Sequence, residues 1–260
     1  MMDRPVLVFD IETVPDVEAG RRLLGLEGLS DAEVVEAMKL ARQAQAGTDF
    51  QRHHLHRIVA ISVVLDDGAR THVWSLGEPD SSEAELVQRF FEGVERYRPT
   101  LVSWNGSGFD LPVLHYRALL HGVEAAAYWD TGHFDRERKW DNYISRYQFA
   151  HVDLMDVLSG YQPRAAAKLD EVAVLLGLPG KMGQSGAQVT EQWLAGEIEA
   201  IRNYCETDVI NTYLIWLQFE RMRGRLAPER QVELHQRLRG LLRDSGRAHL
   251  QAYEAAWHES

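Results

Sequence analysis

The chain has 260 residues, 45% hydrophobic and 26% charged, enough for one large globular domain or for one domain with an appendage. Its single cysteine, Cys205, excludes a disulfide framework and a cysteine-based zinc site, and it fits a cytoplasmic setting. The formal charge of −11 argues against a protein that grips long duplexes by neutralising phosphates. No charged stretch followed by a long apolar one opens the chain, and no apolar run approaches about 18 residues, so neither a signal peptide nor a membrane span is expected.

Val6 to Phe9 reads as a buried strand. Residues 17–52 are polar and rich in Ala, Glu and Gln, which predicts an insertion of one or two helices. Ile58 to Leu65 and Thr71 to Leu76 flank the turn signal Asp66-Asp67-Gly68 and predict a hairpin. Ser81-Ser82 opens a helix that runs to about Tyr97, where Pro99 ends it. Thr100 to Trp104 is a fourth strand, and Pro112 sits early in a helix reaching about His121. Residues 128–149 predict an irregular arm or hairpin. A segment Val152 to Leu158, a helix near Leu169–Leu176 and a Gly-rich loop from Gly177 to Gly186 follow. Two long helical patterns, about 197–223 and 227–257, close the chain. Hairpin strands followed by strand–helix alternation imply an α/β fold, a mixed sheet with helices on its faces.

Three places bring carboxylates to meaningful spacings. Asp10 and Glu12, two apart at the end of the first strand, point to one face. Beside an apolar core two such groups are costly and repel each other, and a divalent cation resolves both problems; an exposed strand end is the plainer reading. Asp110 follows an apolar strand and two glycines and enters a helix, where it serves either as a ligand or as an N-cap. Tyr204 and Asp208, four apart in a helical stretch, lie on one helix face. Taken singly, the plainer readings are an N-cap for Asp110 and a half-buried tyrosine above a solvent-facing aspartate. Glu206 points elsewhere and reads as surface, and Cys205 reads as packing. Together, hard oxygen ligands from separate elements suit Mg²⁺ or Mn²⁺, and two such ions form a clamp for attack on phosphodiesters.

Phe9-Asp10-Ile11-Glu12-Thr13, Asn105-Gly106-Ser107-Gly108-Phe109-Asp110 and Tyr204-Cys205-Glu206-Thr207-Asp208 resemble, in order, the three exonuclease motifs of family B DNA polymerases. The chain is similar to the DEDD superfamily of 3′→5′ exonucleases in its tyrosine subtype, and more closely to stand-alone bacterial exonucleases related to that polymerase domain. The resemblance spans about residues 5–230. It implies an RNase H-like fold with a mixed five-stranded sheet over residues 1–225, interrupted by the 17–52 insertion, and a helical C-terminal extension over 226–260. It implies two divalent cations held by Asp10, Glu12, Asp110 and Asp208, and a Tyr204 hydroxyl that orients the attacking water. It also implies Asn105 and Phe109 at the terminal nucleotides, with Lys168 resembling a lysine near the scissile phosphate. The implied substrate is the 3′ end of single-stranded nucleic acid, DNA favoured over RNA or short oligonucleotides. Rival readings are a structural Ca²⁺ site and a non-catalytic nucleic-acid-binding subunit. With about 35 residues after Arg225, no polymerase palm, fingers or thumb is expected after the third motif.

Arg136, Arg138, Lys139 and Arg146, with Phe134, Trp140, Tyr143 and Tyr147 between them, make a candidate strand-binding arm or an amphipathic segment packed on the domain. Lys181 stands in a glycine-rich loop that could touch phosphate but lacks the Gly-x-x-x-x-Gly-Lys-Ser/Thr pattern, so a nucleotide P-loop is rejected. His53, His54 and His56 read as a solvated pre-strand segment rather than a metal site, and His151 is placed near the cleft. The C-terminal helices are expected either to dock on the domain or to form a homodimer.

Overall fold

The computed structural model describes residues 4–183 and 186–258, with the backbone alone at Ala187. Strand β1 (Val6–Pro15) lies at the centre of the sheet and is buried along most of its length, because both sheet faces are covered. Asp16 then caps α1 (Val17–Leu24), and a reciprocal Ser30–Glu33 box opens α2 (Asp31–Ala46). The insertion is thus two helices, folded on each other around Val17, Val34, Val35 and Met38. Gly20 lets them approach: a Cβ there would lie 2.4 Å from the Met38 sulfur.

Strands β2 (His56–Asp66) and β3 (Thr71–Ser75) form the expected hairpin. Helix α3 (Glu83–Tyr97), capped by Ser82, ends at left-handed Arg98. Strand β4 (Thr100–Ser103) leads into α4 (Asp110–His121). The arm at 128–149 contains no strand: after α5 (Ala126–Trp129) it is turns and one 3₁₀ segment. Strand β5 (His151–Asp153) runs straight into α6 (Leu154–Leu158), and α7 (Leu169–Leu175), α8 (Val189–Leu194) and α9 (Ile198–Met222) follow. The second long C-terminal pattern is two helices, α10 (Pro228–Asp244) and α11 (Ala248–Ala256), because Gly246 at φ +69° turns the chain back.

The sheet order is β3-β2-β1-β4-β5, with β1 antiparallel to β2 and parallel to β4, and β4 parallel to β5. This is the mixed five-stranded, RNase H-like arrangement. Period-two alternation divides the core. Val6 and Val8 pack with α9, α10 and α11 on one face, whereas Leu7 and Phe9 pack with α3 and α4 on the other. Leu234, Leu238, Leu242, Leu250 and Tyr253 belong to the first of these clusters, so residues 226–258 share the core of the domain rather than standing apart from it. No helix among the described residues is long and apolar enough to cross a membrane.

Candidate active site

The parity of β1 positions the first two carboxylates. Val6 and Val8 face α9, and Asp10 and Glu12 continue that face toward the strand's end. The pairing of β1 with β4 stops at Val8–Val102, and a bulge between Glu12 and Thr13 interrupts the pairing with β2. Asp10 and Glu12 therefore sit where the neighbouring strand has left, at the carboxyl end of a central strand, the usual place for a ligand in such sheets.

β4 leaves through a tight loop. Asn105 takes φ +63°, and a Cβ on Gly106 would lie 2.2 Å from Ser103 Oγ, so only glycine fits there. Asp153 holds the loop from beneath, its carboxylate accepting from the Asn105 and Ser107 backbone N–H groups at 2.9 Å each. Asp110 is not the N-cap. Phe109 occupies the cap position, and Asp110 is the first helical residue, its Oδ1 accepting from Ile11 N–H at 3.2 Å. That bond ties the second motif to the first.

Tyr204 and Asp208 lie on the face of α9 toward β1. Glu12, Asp110, Tyr204 and Asp208 are all buried. Acceptor atoms of Asp10, Glu12 and Cys205 lie within 4.8 Å of one another. The Cys205 Sγ sits 3.4 Å from Asp10 O and 3.5 Å from Asp10 Oδ2, and burial and the nearby carboxylates push its thiol up. It is a neutral donor packed under Asp10, not a thiolate ligand.

The electrostatics are those of crowded, desolvated acids. Burial, then Asp110, Glu12 and Asp208, raise Asp10 well above the carboxylate range. Burial and Asp208 raise Glu12, against the pull of Lys181. Burial raises Asp110 to about 7 and Asp208 to about 6. Asp208 Oδ1 is buried and has no hydrogen-bond partner among the described residues. An orphaned buried oxygen beside mutually repelling carboxylates fits a divalent cation held by hard oxygen ligands.

Lys181 is the lysine of this site. Its Nζ donates to the Tyr204 hydroxyl at 2.8 Å. The loop that presents it is pinned from two helices: Asp170 Oδ1 accepts from the Lys181 N–H at 2.8 Å, and Asn211 Nδ2 donates to Gly180 O at 3.1 Å. Gly180 is left-handed, and a Cβ there would lie 2.4 Å from Asp170 Oδ1. Lys168, expected from the motif resemblance, is exposed at the start of α7, and it is Lys181 whose charge bears on Glu12 and Asp208. Residues 184 and 185 of the same loop lie outside the described residues.

Other expectations also change. Glu206 is not a surface residue: it is 3% exposed and bound by Arg247, His249 and Ser75. Arg138 is buried, its guanidinium 4.8 Å from the Tyr143 ring centroid, so it cannot serve a strand. Arg146 makes a two-pronged pair with Asp156 at 2.8 and 2.9 Å, tying the arm to α6. Arg136 is exposed, as are Phe134 and Trp140. His56 is buried, bonded to Thr13 Oγ1 at 2.9 Å and Gln51 O at 3.1 Å, and burial lowers it to about 4. His151 is buried against Ser103 Oγ at 2.8 Å and supports the β4 loop from below.

Comparison with known proteins places this geometry. A family model described as "predicted 3′-5′ exonuclease related to the exonuclease domain of PolB" matches residues 48–257, a stretch that begins after Asp10 and Glu12. The catalytic chain of DNA polymerase epsilon from Schizosaccharomyces pombe is 27% identical over 150 residues, 55% of this chain and 6% of that protein. A DNA polymerase of Pyrococcus glycovorans is 26% identical over 226 residues, 82% of this chain and 29% of that one. The solved family B DNA polymerase from the hyperthermophilic archaeon Pyrobaculum calidifontis aligns with a TM-score of 0.48 and 21% identity, over 81% of this chain and 24% of that one. The chain thus spans less than a third of each of these polymerases. With most of its length matched by the family model, the chain belongs to the family of 3′-5′ exonucleases related to the exonuclease domain of family B DNA polymerases.

Proposed function

We propose that this chain hydrolyses phosphodiester bonds at the 3′ end of single-stranded nucleic acid, DNA in preference to RNA, and releases nucleoside 5′-monophosphates. The observation that carries this reading is the convergence of Asp10, Glu12, Asp110 and Asp208 beside the Tyr204 hydroxyl at the carboxyl end of β1. Asp10, Glu12, Asp110 and Asp208 would hold two divalent cations, Mg²⁺ or Mn²⁺. When bound, these lower the pKa of a coordinated water and stabilise the leaving oxygen.

The rest falls to the protein's own groups. Burial and three neighbouring carboxylates raise the Tyr204 phenol far above its ordinary value, so it stays protonated and acts as a hydrogen-bond donor rather than a base. It orients the attacking water. Lys181, donating to the same hydroxyl, fixes the ring. Asn105 and Phe109 contact the terminal nucleotide. The arm carrying Arg136, Lys139, Phe134 and Trp140 is tied to Arg4, Arg98 and Pro99 at the amino ends of β1 and β4, away from the carboxylates, and takes no part in this reading. The polymerase relatives favour DNA as the substrate.

Asp10→Ala and Asp208→Ala test the reading. Each is expected to abolish metal-dependent release of nucleoside 5′-monophosphate, with circular dichroism unchanged. Release retained by either variant would reject it.

A further inference from the structure

The cavity beside the carboxylates has a wall that the exonuclease motifs do not supply. About 390 Å³ in volume, it reaches from Glu12 and Thr13 on β1 to Asn105 and Phe109, and Phe50 and His53 are among the residues that line it. These two residues lie in the segment that returns from α2 to β2, so the helical insertion delivers them to the site.

The segment is anchored. Arg42 Nε donates to Phe50 O at 3.0 Å, and the Phe50 N–H donates to Thr48 Oγ1 at 3.2 Å. His53 Nε2 lies 2.8 Å from Gly108 O; a carbonyl only accepts, so Nε2 carries the proton. The rings form a cluster. Phe50 is 5.4 Å from Phe109 and 5.0 Å from His56, and His53 is 5.8 Å from Phe109, centroid to centroid. Yet Phe50 remains 56% exposed. A lone exposed phenylalanine requires no explanation. This one is held by backbone bonds at the edge of a cavity that it shares with a carboxylate and an amide of the exonuclease motifs.

We propose that Phe50 and His53 form a stacking subsite for the base of the 3′-terminal nucleotide, a subsite that the insertion adds to the motif-borne site. The proposal rests on the exonuclease reading for its substrate. The carboxylates engage the phosphodiester and have no grip on the base; rings do. Every base has a π face, so such a subsite is indifferent to sequence and changes binding by about tenfold or more per base. It distinguishes an end that presents an unpaired base from an end that has none.

The test uses the full chain, single strands of one sequence, and two 3′ ends: an ordinary nucleotide or a base-less tetrahydrofuran residue. Wild type is expected to favour the base-bearing end about tenfold, chiefly through KM. Phe50→Ala should bring the ratio of kcat/KM for the two ends close to one. Phe50→Leu keeps apolar contact with Phe109 but has no ring, and should behave like the alanine variant. A second arm needs no turnover. Calorimetry in Ca²⁺ compares thymidine 5′-monophosphate with 2-deoxyribose 5-phosphate, and Phe50→Ala should erase an approximately tenfold advantage of the nucleotide. The subsite is overturned if wild type ignores the missing base, if Phe50→Ala slows both ends alike, or if leucine restores the preference. Strands that stay intact while the nucleotide keeps its Phe50-dependent advantage would sink the exonuclease reading and leave the subsite standing.

Discussion

At the scale of single residues, the Tyr204 hydroxyl is where the proposed catalysis and the site's electrostatics meet. It accepts from Lys181 Nζ at 2.8 Å, and its own proton is held by burial and by Asp208, Glu12 and Asp10. Tyr204→Phe should slow single-turnover cleavage roughly tenfold, the size of one lost hydrogen bond near a charged group, with KM little changed. Lys181→Ala should slow the same step. Because the lysine acts through the hydroxyl, the double variant should be no slower than the worse single one by more than about twofold. Multiplicative losses would show that Lys181 works on the substrate independently. Asp10, Glu12, Tyr204 and Asp208 are legible in the sequence because they follow a local period, two for the strand and four for the helix, and Asp110 because it closes a glycine loop that enters a helix. Lys181 is legible as a lysine in a glycine-rich loop, but its place beside Tyr204 is not, because such a loop has no period. The grip of Asp170 and Asn211 on the backbone of its loop sets its position. The burial of Glu206 is hidden for a related reason: its partners Arg247 and His249 lie about forty residues onward in the chain.

At the scale of elements, the site depends on how β4 ends. Asp153, at the junction of β5 and α6, accepts from four backbone N–H groups: Asn105, Ser107, Met155 and Asp156. It caps one helix and shapes the loop that carries Asn105 and Phe109. Asp153→Ala leaves those half-buried donors without their acceptor, a loss of about 1–3 kcal/mol. The expected fall in melting temperature is roughly 3–10 °C, together with a rise in KM. An unchanged KM would mean that the loop holds its shape without this residue. Four of the strands and the insertion's two helices follow from apolar runs and caps, whereas β5 is hidden in a segment whose greater part is α6. The break at Gly246 is hidden too, since one glycine in an amphipathic pattern reads equally as tolerated or as a turn. The 128–149 arm offers aromatic residues without alternation, and it is irregular accordingly.

At the scale of the whole molecule, the fold keeps four carboxyl groups crowded and largely desolvated, and stability must respond to pH. Asp110 is raised from 3.8 to about 7 and Asp208 to about 6. Groups raised in this way favour the protonated fold. Their stabilisation is complete below the ordinary value of 3.8 and is lost as pH rises through 6 and 7. In EDTA, Asp110→Asn should therefore raise the melting temperature by about 4 °C or more at pH 8 and by little at about pH 4. Equal shifts at both pH values would contradict this coupling. Added Mn²⁺ should stabilise wild type at pH 8 more than this variant.

Hydrolysis from the 3′ end is the chemistry these carboxylates are proposed to serve. A time course on a 5′-labelled single strand of DNA, with Mg²⁺, Mn²⁺ or EDTA and with Asp10→Ala protein as the control, reads it without intermediaries. The expected result is a ladder that shortens one nucleotide at a time from the 3′ end, only with metal and only with the wild-type chain. Immediate release of the labelled 5′ nucleotide, internal cuts, or an intact strand in the presence of folded protein and metal would contradict it.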